Sequence, residues 1–213
     1  MHCRAILFDL DGVLVDSRRC VELVWRTWAA ERGLDPAPFL AVAHGRRISE
    51  TFRLVRPDLD AAAEARVLDA MEETETRGLE VVPGAEALLA RLEARQWGIV
   101  TSGSDVVAGL RLRAGRIAPP PVFVTAGDVR RGKPDPEGDL LGARRLGCEP
   151  AECLVIEDAP PGVAAGKAAG MRVVALLTTH RAEQLVDADA RVESLAALRV
   201  EAGPAGLTVE TGR

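Results

Sequence analysis

Beyond residue 80 the chain alternates short apolar runs with stretches whose apolar residues recur every three or four positions. No other feature restricts the fold as strongly. The runs at 98–100, 122–125, 153–156 and 172–176 read as buried strands, and the stretches at 85–95, 105–113, 136–146 and 162–169 read as helices. Strands separated by helices must cross over to pair, so this order specifies a parallel sheet covered on both faces. An earlier run, Ile6-Leu7-Phe8, supplies another strand of the same kind. The expected fold is therefore α/β, a doubly wound, Rossmann-like parallel sheet. Two short runs in the tail, 191–192 and 207–209, are weaker strand candidates.

From Asp35 to Leu79 nothing reads as a strand. Before that stretch, Val21, Val24, Trp25 and Trp28 recur at helical spacing; Asp16 or Ser17 can cap this helix and Gly33 closes it. Pro36 and Pro38 open a second helix that ends near His44-Gly45. A third is expected around 49–55 and an Ala-rich fourth over 60–77. Segment 17–82 is thus expected to be a small helical unit inserted into a core built from 1–16 and 83–213.

With 213 residues, 47% of them hydrophobic, the chain can bury a full core. No apolar run approaches the ~20 residues needed to span a bilayer. Residues 1–8 lack the hydrophobic segment of a signal peptide, so the expected address is the cytoplasm. A net charge of −5 and an aromatic content of 3% argue against a nucleic-acid partner. Cys3, Cys20, Cys148 and Cys153 have no zinc spacing and are expected to be reduced and structural. A monomer is expected.

The chemistry collects where the strands end, which is where ligands sit in doubly wound sheets. In Ile6-Leu7-Phe8-Asp9-Leu10-Asp11-Gly12 two acids follow an apolar strand. The period of two lets Asp9 and Asp11 share one side, a like-charge pair that calls for a cation or a raised pKa. Thr101, Ser102 and Gly103 follow the strand at 98–100 and offer a hydroxyl and backbone N–H groups, the raw material of a phosphate cradle. Lys133 sits between Gly132 and Pro134, ahead of a helix that Asp135 and Pro136 can start, and its ammonium can neutralise carboxylates and phosphate together. Glu157 and Asp158 end the run Leu154-Val155-Ile156. With Asp9 they make an all-oxygen site suited to Mg²⁺.

Four segments in this order, Phe8-Asp9-Leu10-Asp11-Gly12-Val13-Leu14-Val15-Asp16-Ser17, Val100-Thr101-Ser102-Gly103, Gly132-Lys133-Pro134-Asp135-Pro136-Glu137 and Ile156-Glu157-Asp158-Ala159, resemble the motifs of the haloacid dehalogenase-like hydrolase superfamily. The resemblance runs from Ile6 to Leu176 at least, and the helical insertion resembles that superfamily's small cap. It implies that Asp9 attacks phosphorus to form an aspartyl-phosphate, and that Asp11 protonates the leaving oxygen and then activates water. It also implies that Thr101 and the Ser102 N–H bind phosphoryl oxygens and that Lys133 pairs with Asp9. Asp158, Asp9 and the Asp11 carbonyl would hold Mg²⁺, with Glu157 a ligand or a partner behind the ligands.

Asp11 favours phosphoryl transfer over dehalogenation, because dehalogenases usually lack that second acid. Cys20-Val21-Glu22 stands where the β-phosphoglucomutase branch carries a histidine, which weakens a hexose-phosphate mutase reading. Ala43-His44-Gly45-Arg46-Arg47 resembles the cap loop of the glycerol-3-phosphatase and 2-deoxyglucose-6-phosphatase group, so His44, Gly45, Arg46 and Arg47 are expected to meet a phosphorylated polyol or sugar. Helix-end residues complementing a dipole are the competing account of this loop. The expected function is a Mg²⁺-dependent phosphatase of small sugar or polyol phosphates. The alternatives are the mutase and a non-catalytic, metabolite- or partner-binding use of the same fold.

Overall fold

The computed structural model describes residues 1–203 and 206–212. The chain begins with β1 (His2–Cys3), β2 (Ala5–Phe8) and β3 (Val15–Asp16). Four helices follow, α1 (Arg18–Glu31), α2 (Ala37–Ala43), α3 (Ile48–Val55) and α4 (Ala61–Glu72), and β4 (Glu80–Val81) brings the chain back. Next come α5 (Ala85–Leu89), β5 (Trp97–Val100), α6 (Asp105–Ala114), β6 (Phe123–Val124) and α7 (Glu137–Leu146). They are followed by β7 (Cys153–Glu157), α8 (Pro160–Ala168), β8 (Arg172–Leu176), β9 (Ala190–Val192), β10 (Leu198–Gly203) and β11 (Gly206–Thr211).

Six strands pair in the order β6-β5-β2-β7-β8-β9, every pair parallel. The order reverses direction at β2, which puts the switch point, and the crevice such a point opens, between the ends of β2 and β7. This is the α/β, doubly wound sheet expected from the alternation. Strand periodicity splits the core as it should: Ile6, Phe8, Ile99, Leu154 and Ile156 pack on one face, and Leu7, Val100, Val155 and Val173 on the other.

The helical block has a core of its own, in which Trp25, Trp28, Phe39, Phe52 and Leu68 are buried. Trp25 stacks on Phe39 with centroids 5.4 Å apart, and Trp28 meets Phe52 edge-on at 4.9 Å. β3 and β4 pair antiparallel, Val15 with Val81 and Asp16 with Glu80. The chain therefore enters and leaves the block through one short ribbon.

Three elements differ from the sequence reading. The helix expected over 85–95 stops at Leu89, and a 3₁₀ turn at Ala94–Gln96 follows, in which the Gln96 side chain accepts from the Glu93 backbone N–H. The helix expected to reach 77 stops at Glu72, and the Met71 carbonyl accepts from the Thr74 hydroxyl and the Glu75 N–H just beyond it. The strand expected near 207–209 is β11, and β10, which was not expected, pairs antiparallel with it while β1 joins its other side.

Candidate active site

Asp9 directly follows β2, and its N–H donates to the carbonyl of Ile156 in β7 at 2.9 Å, which fixes it at the switch point. Lys133 is buried and donates to Asp9 Oδ1 at 2.7 Å, to Glu157 Oε1 at 2.6 Å and to the Val100 carbonyl at 2.9 Å. All three ammonium hydrogens are thereby used. The other oxygen of Glu157 accepts from the N–H groups of Asp158 (2.8 Å) and Ala159 (3.1 Å), so both oxygens of this carboxylate hold other parts of the site. The Asp158 carboxylate takes a hydrogen bond from the Thr179 hydroxyl, beyond the end of β8.

Asp9, Glu157 and Asp158 bring carboxylate oxygens within 4.8 Å of one another. Three buried carboxylates face one ammonium, so the cluster is two positive charges short of neutrality. Burial, with repulsion from Glu157 added and attraction to Lys133 offsetting part of it, pushes Asp9 up to about 8. Burial, then the charges of Glu157 and Asp9, raise Asp158 well above its ordinary value. Burial alone would lower Lys133, but the charges of Asp9 and Glu157 outweigh it and hold the ammonium in its charged form. A hard divalent cation is the ligand whose charge and oxygen preference this donor set fits.

Gly12 is what lets the first loop close over this cluster. Its φ is +80°, and a Cβ there would stand 2.1 Å from Asp158 Oδ2. Asp11, just before it, accepts a hydrogen bond on Oδ1 from Arg111 Nε at 3.0 Å. Thr101 is buried at the end of β5 and accepts from the Gly103 N–H at 3.1 Å, which shapes the turn into a cradle.

Asp9, Asp11, Thr101, Ser102, Gly103, His44, Gly45, Arg46 and Arg47 all line one cavity of about 360 Å³, with Trp25, Asp69 and Glu72 from the helical block opposite. That volume is in the range of small-molecule sites. The loop between α2 and α3 thus meets the strand ends. Ser102 Oγ donates to the Gly45 carbonyl at 3.0 Å, and Arg47 donates to the carbonyls of Val129 (2.9 Å) and Arg130 (3.2 Å). The Arg47 terminal nitrogens therefore bridge to the core, and the Nε of both Arg46 and Arg47 is buried with no partner among the described residues. Burial, and next the nearby His180, lower His44 from its ordinary value, which favours the neutral imidazole.

Sequence reasoning assigned no role to several buried or half-buried polar residues near this site. Arg111 on α6 is fully buried, as is nearly all of Glu72 on α4, to which it donates at 3.3 Å. Thr179 and His180 follow β8, and position beyond a strand end was the available signal for them. Asp139 is buried within interaction range of Lys133, and burial pushes its carboxyl up to about 7.

A doubly wound sheet with a helical insertion after its first strand and buried acids at its switch point defines a class of α/β hydrolase. The chain belongs to the haloacid dehalogenase-like hydrolases, whose family profile matches residues 3–170. It is 44% identical over 211 residues to hexitol phosphatase A of Escherichia coli (strain K12), covering 97% of this chain and 98% of that one. It is 35% identical to 2-deoxyglucose-6-phosphate phosphatase 2 of Saccharomyces cerevisiae, covering 86% and 84% of the two chains. A crystal structure of a hydrolase from Pseudomonas syringae superposes with a TM-score of 0.82 at 26% identity, covering 90% of this chain and 94% of that one.

Proposed function

We propose that the protein is a Mg²⁺-dependent phosphatase that hydrolyses a small sugar or polyol phosphate through an aspartyl-phosphate on Asp9. One observation carries this reading: a carboxylate held at one oxygen by Lys133, within a cluster two charges short, faces a cavity lined by a phosphate cradle. Similarity to a hexitol phosphatase and to 2-deoxyglucose-6-phosphate phosphatases supports the substrate class.

Lys133 holds Asp9 Oδ1, which leaves Oδ2 to attack phosphorus. The O–P bond to Asp9 forms as the ester P–O bond breaks, and Asp11 gives its proton to the departing alkoxide. Asp11 then takes a proton from a water that attacks the phosphorus of the intermediate, breaking the bond to Asp9 and releasing phosphate. Thr101 and the Ser102 N–H steady the phosphoryl oxygens, and Gly103 shapes their turn. Asp9, Asp158 and the Asp11 carbonyl would hold Mg²⁺, which supplies the missing positive charge. Glu157, engaged on both oxygens, supports them from behind.

The helical block, 17–82, serves as a cap over the core formed by 1–16 and 83–213. His44 and Arg46 reach from it toward the substrate, and Gly45 and Arg47 seat the loop against the core. The test is phosphate release from an aryl phosphate and from a panel of hexitol and hexose phosphates, with and without a chelator. Release is expected to need Mg²⁺ and to fall by about 10³-fold or more in Asp9→Asn. Undiminished release by that variant would sink the assignment.

A further inference from the structure

The most deeply buried charge outside the acidic cluster is Arg111, on the core-side helix α6. Its guanidinium divides between the two halves of the molecule. Nε donates to Asp11 Oδ1 at 3.0 Å, the second terminal nitrogen donates to Glu72 Oε2 on α4 at 3.3 Å, and the first lies 3.6 Å from Cys20 Sγ on α1. Glu72 and Cys20 belong to the helical block; Asp11 belongs to the first core loop. A bare guanidinium at 0% exposure is costly, so the position is occupied because Asp11 and Glu72 are there to accept its hydrogen bonds.

We infer that Arg111 is a positioning residue that ties the orientation of Asp11 to the seating of the cap. The inference rests on the phosphatase reading, in which Asp11 is the proton carrier. The planar fork of Arg111 fixes one Asp11 oxygen and leaves Oδ2 for the proton. Helix α6 sets where the fork stands, and Glu72 sets how it is turned. With the cap seated, three partners define the guanidinium plane. With Glu72 and Cys20 withdrawn, Asp11 alone would hold it, and the acid would lose its fixed direction. Proton delivery to the leaving group is thereby reserved for the closed molecule, where the cavity is covered.

Leaving-group acidity separates this role from a structural one. Phenyl phosphate and 4-nitrophenyl phosphate are nearly the same shape, but nitrophenolate departs readily without a proton and phenolate does not. The value of kcat/KM reports steps through formation of the phosphoenzyme, the stage at which Asp11 acts as acid. Arg111→Met is expected to lose on the order of 10- to 100-fold more kcat/KM on phenyl phosphate than on the nitro ester, the scale of misplacing a catalytic group by about an ångström. Asp11→Asn should show the same selective loss. Arg111→Lys should recover little, because a single ammonium lacks the planar fork that reaches Asp11, Glu72 and Cys20 from one position.

If Arg111→Met is too unstable to assay, Arg111→Met combined with Glu72→Met removes both charges, leaves no orphan between helices, and should retain the selective defect. Equal losses on the two esters, or a double variant that discriminates between them as the parent does, would overturn the positioning role. A lack of selectivity in Asp11→Asn would instead remove the general-acid reading beneath it. Loss of Mg²⁺-dependent release altogether in the parent protein would remove the phosphatase reading, so the three failures are distinguishable.

Discussion

At the scale of single residues, the site depends on Glu157 as a hub, since its two oxygens hold Lys133 and the N–H groups of Asp158 and Ala159. Gly162, near the start of α8, makes room for it: a Cβ there would fall 1.6 Å from Glu157 Oε1. Gly162→Ala is therefore expected to displace the carboxylate from Lys133 and to destabilise the fold by about 3–5 kcal/mol, the usual effect of breaking a buried ion pair. Gly109→Ala on α6, whose Cβ would meet only the far end of the Arg113 side chain, should be neutral or stabilising by up to about 1 kcal/mol. Urea unfolding of the two variants checks the contrast. Asp9, Lys133 and Asp158 were legible in the sequence because charges ending an apolar strand or flanking a fixed turn stand out against what surrounds them. Arg111 was not, because a charge within a helix is ordinarily solvated. Its signal was position, four residues after the buried Val107 and one before the buried Leu112, on the stripe that packs inward.

At the scale of elements, parallel strands and the helices between them were readable from periodicity alone, since burial on both faces leaves continuous apolar runs. Element ends and the tail were less so. Leu198 and Val200 are buried while Arg199 and Glu201 are exposed, a real alternation that is too short to separate from a loop without its partner β11. The cap–core contact could not be read at all, because it joins residues far apart in the chain. Glu50 of α3 accepts from the Gly132 N–H at 3.0 Å, and Arg47 bonds two carbonyls just ahead of it. These bonds grip the segment that carries Lys133. Arg47→Ala and Glu50→Ala are each expected to raise KM on the order of tenfold and to make the cap loop easier to cleave in limited proteolysis. Arg47 borders the cavity at the strand ends and Glu50 does not. Parallel effects in the two variants would mark a latch, whereas an effect confined to Arg47→Ala would mark direct substrate contact.

At the scale of the whole molecule, the charge deficit at the switch point links folding, pH and cation binding. Burial raises Asp9 to about 8 and holds Asp158 well above its ordinary value, so the folded, metal-free chain holds protons that the unfolded chain has released by neutral pH. When the native state binds more protons than the unfolded one, stability falls as pH rises. The window runs from the ordinary carboxylate range, near 4, up through about 8 for Asp9. In the presence of a chelator, Tm is therefore expected to decline across this window more steeply than in Asp9→Asn, which carries no titrating carboxylate at that position. A divalent cation bound at the cluster would take the place of those protons. Millimolar Mg²⁺ should raise Tm by several degrees, since saturation to 100 times Kd is worth about 2.7 kcal/mol. It should also flatten the decline and release protons on binding, which calorimetry in buffers of different ionisation enthalpy detects. The gain in Tm should grow from pH 6 to pH 8 as proton competition fades. A Mg²⁺ effect that is constant over that range would mean that the buried carboxylates are already ionised, with the charge balance met by the protein itself.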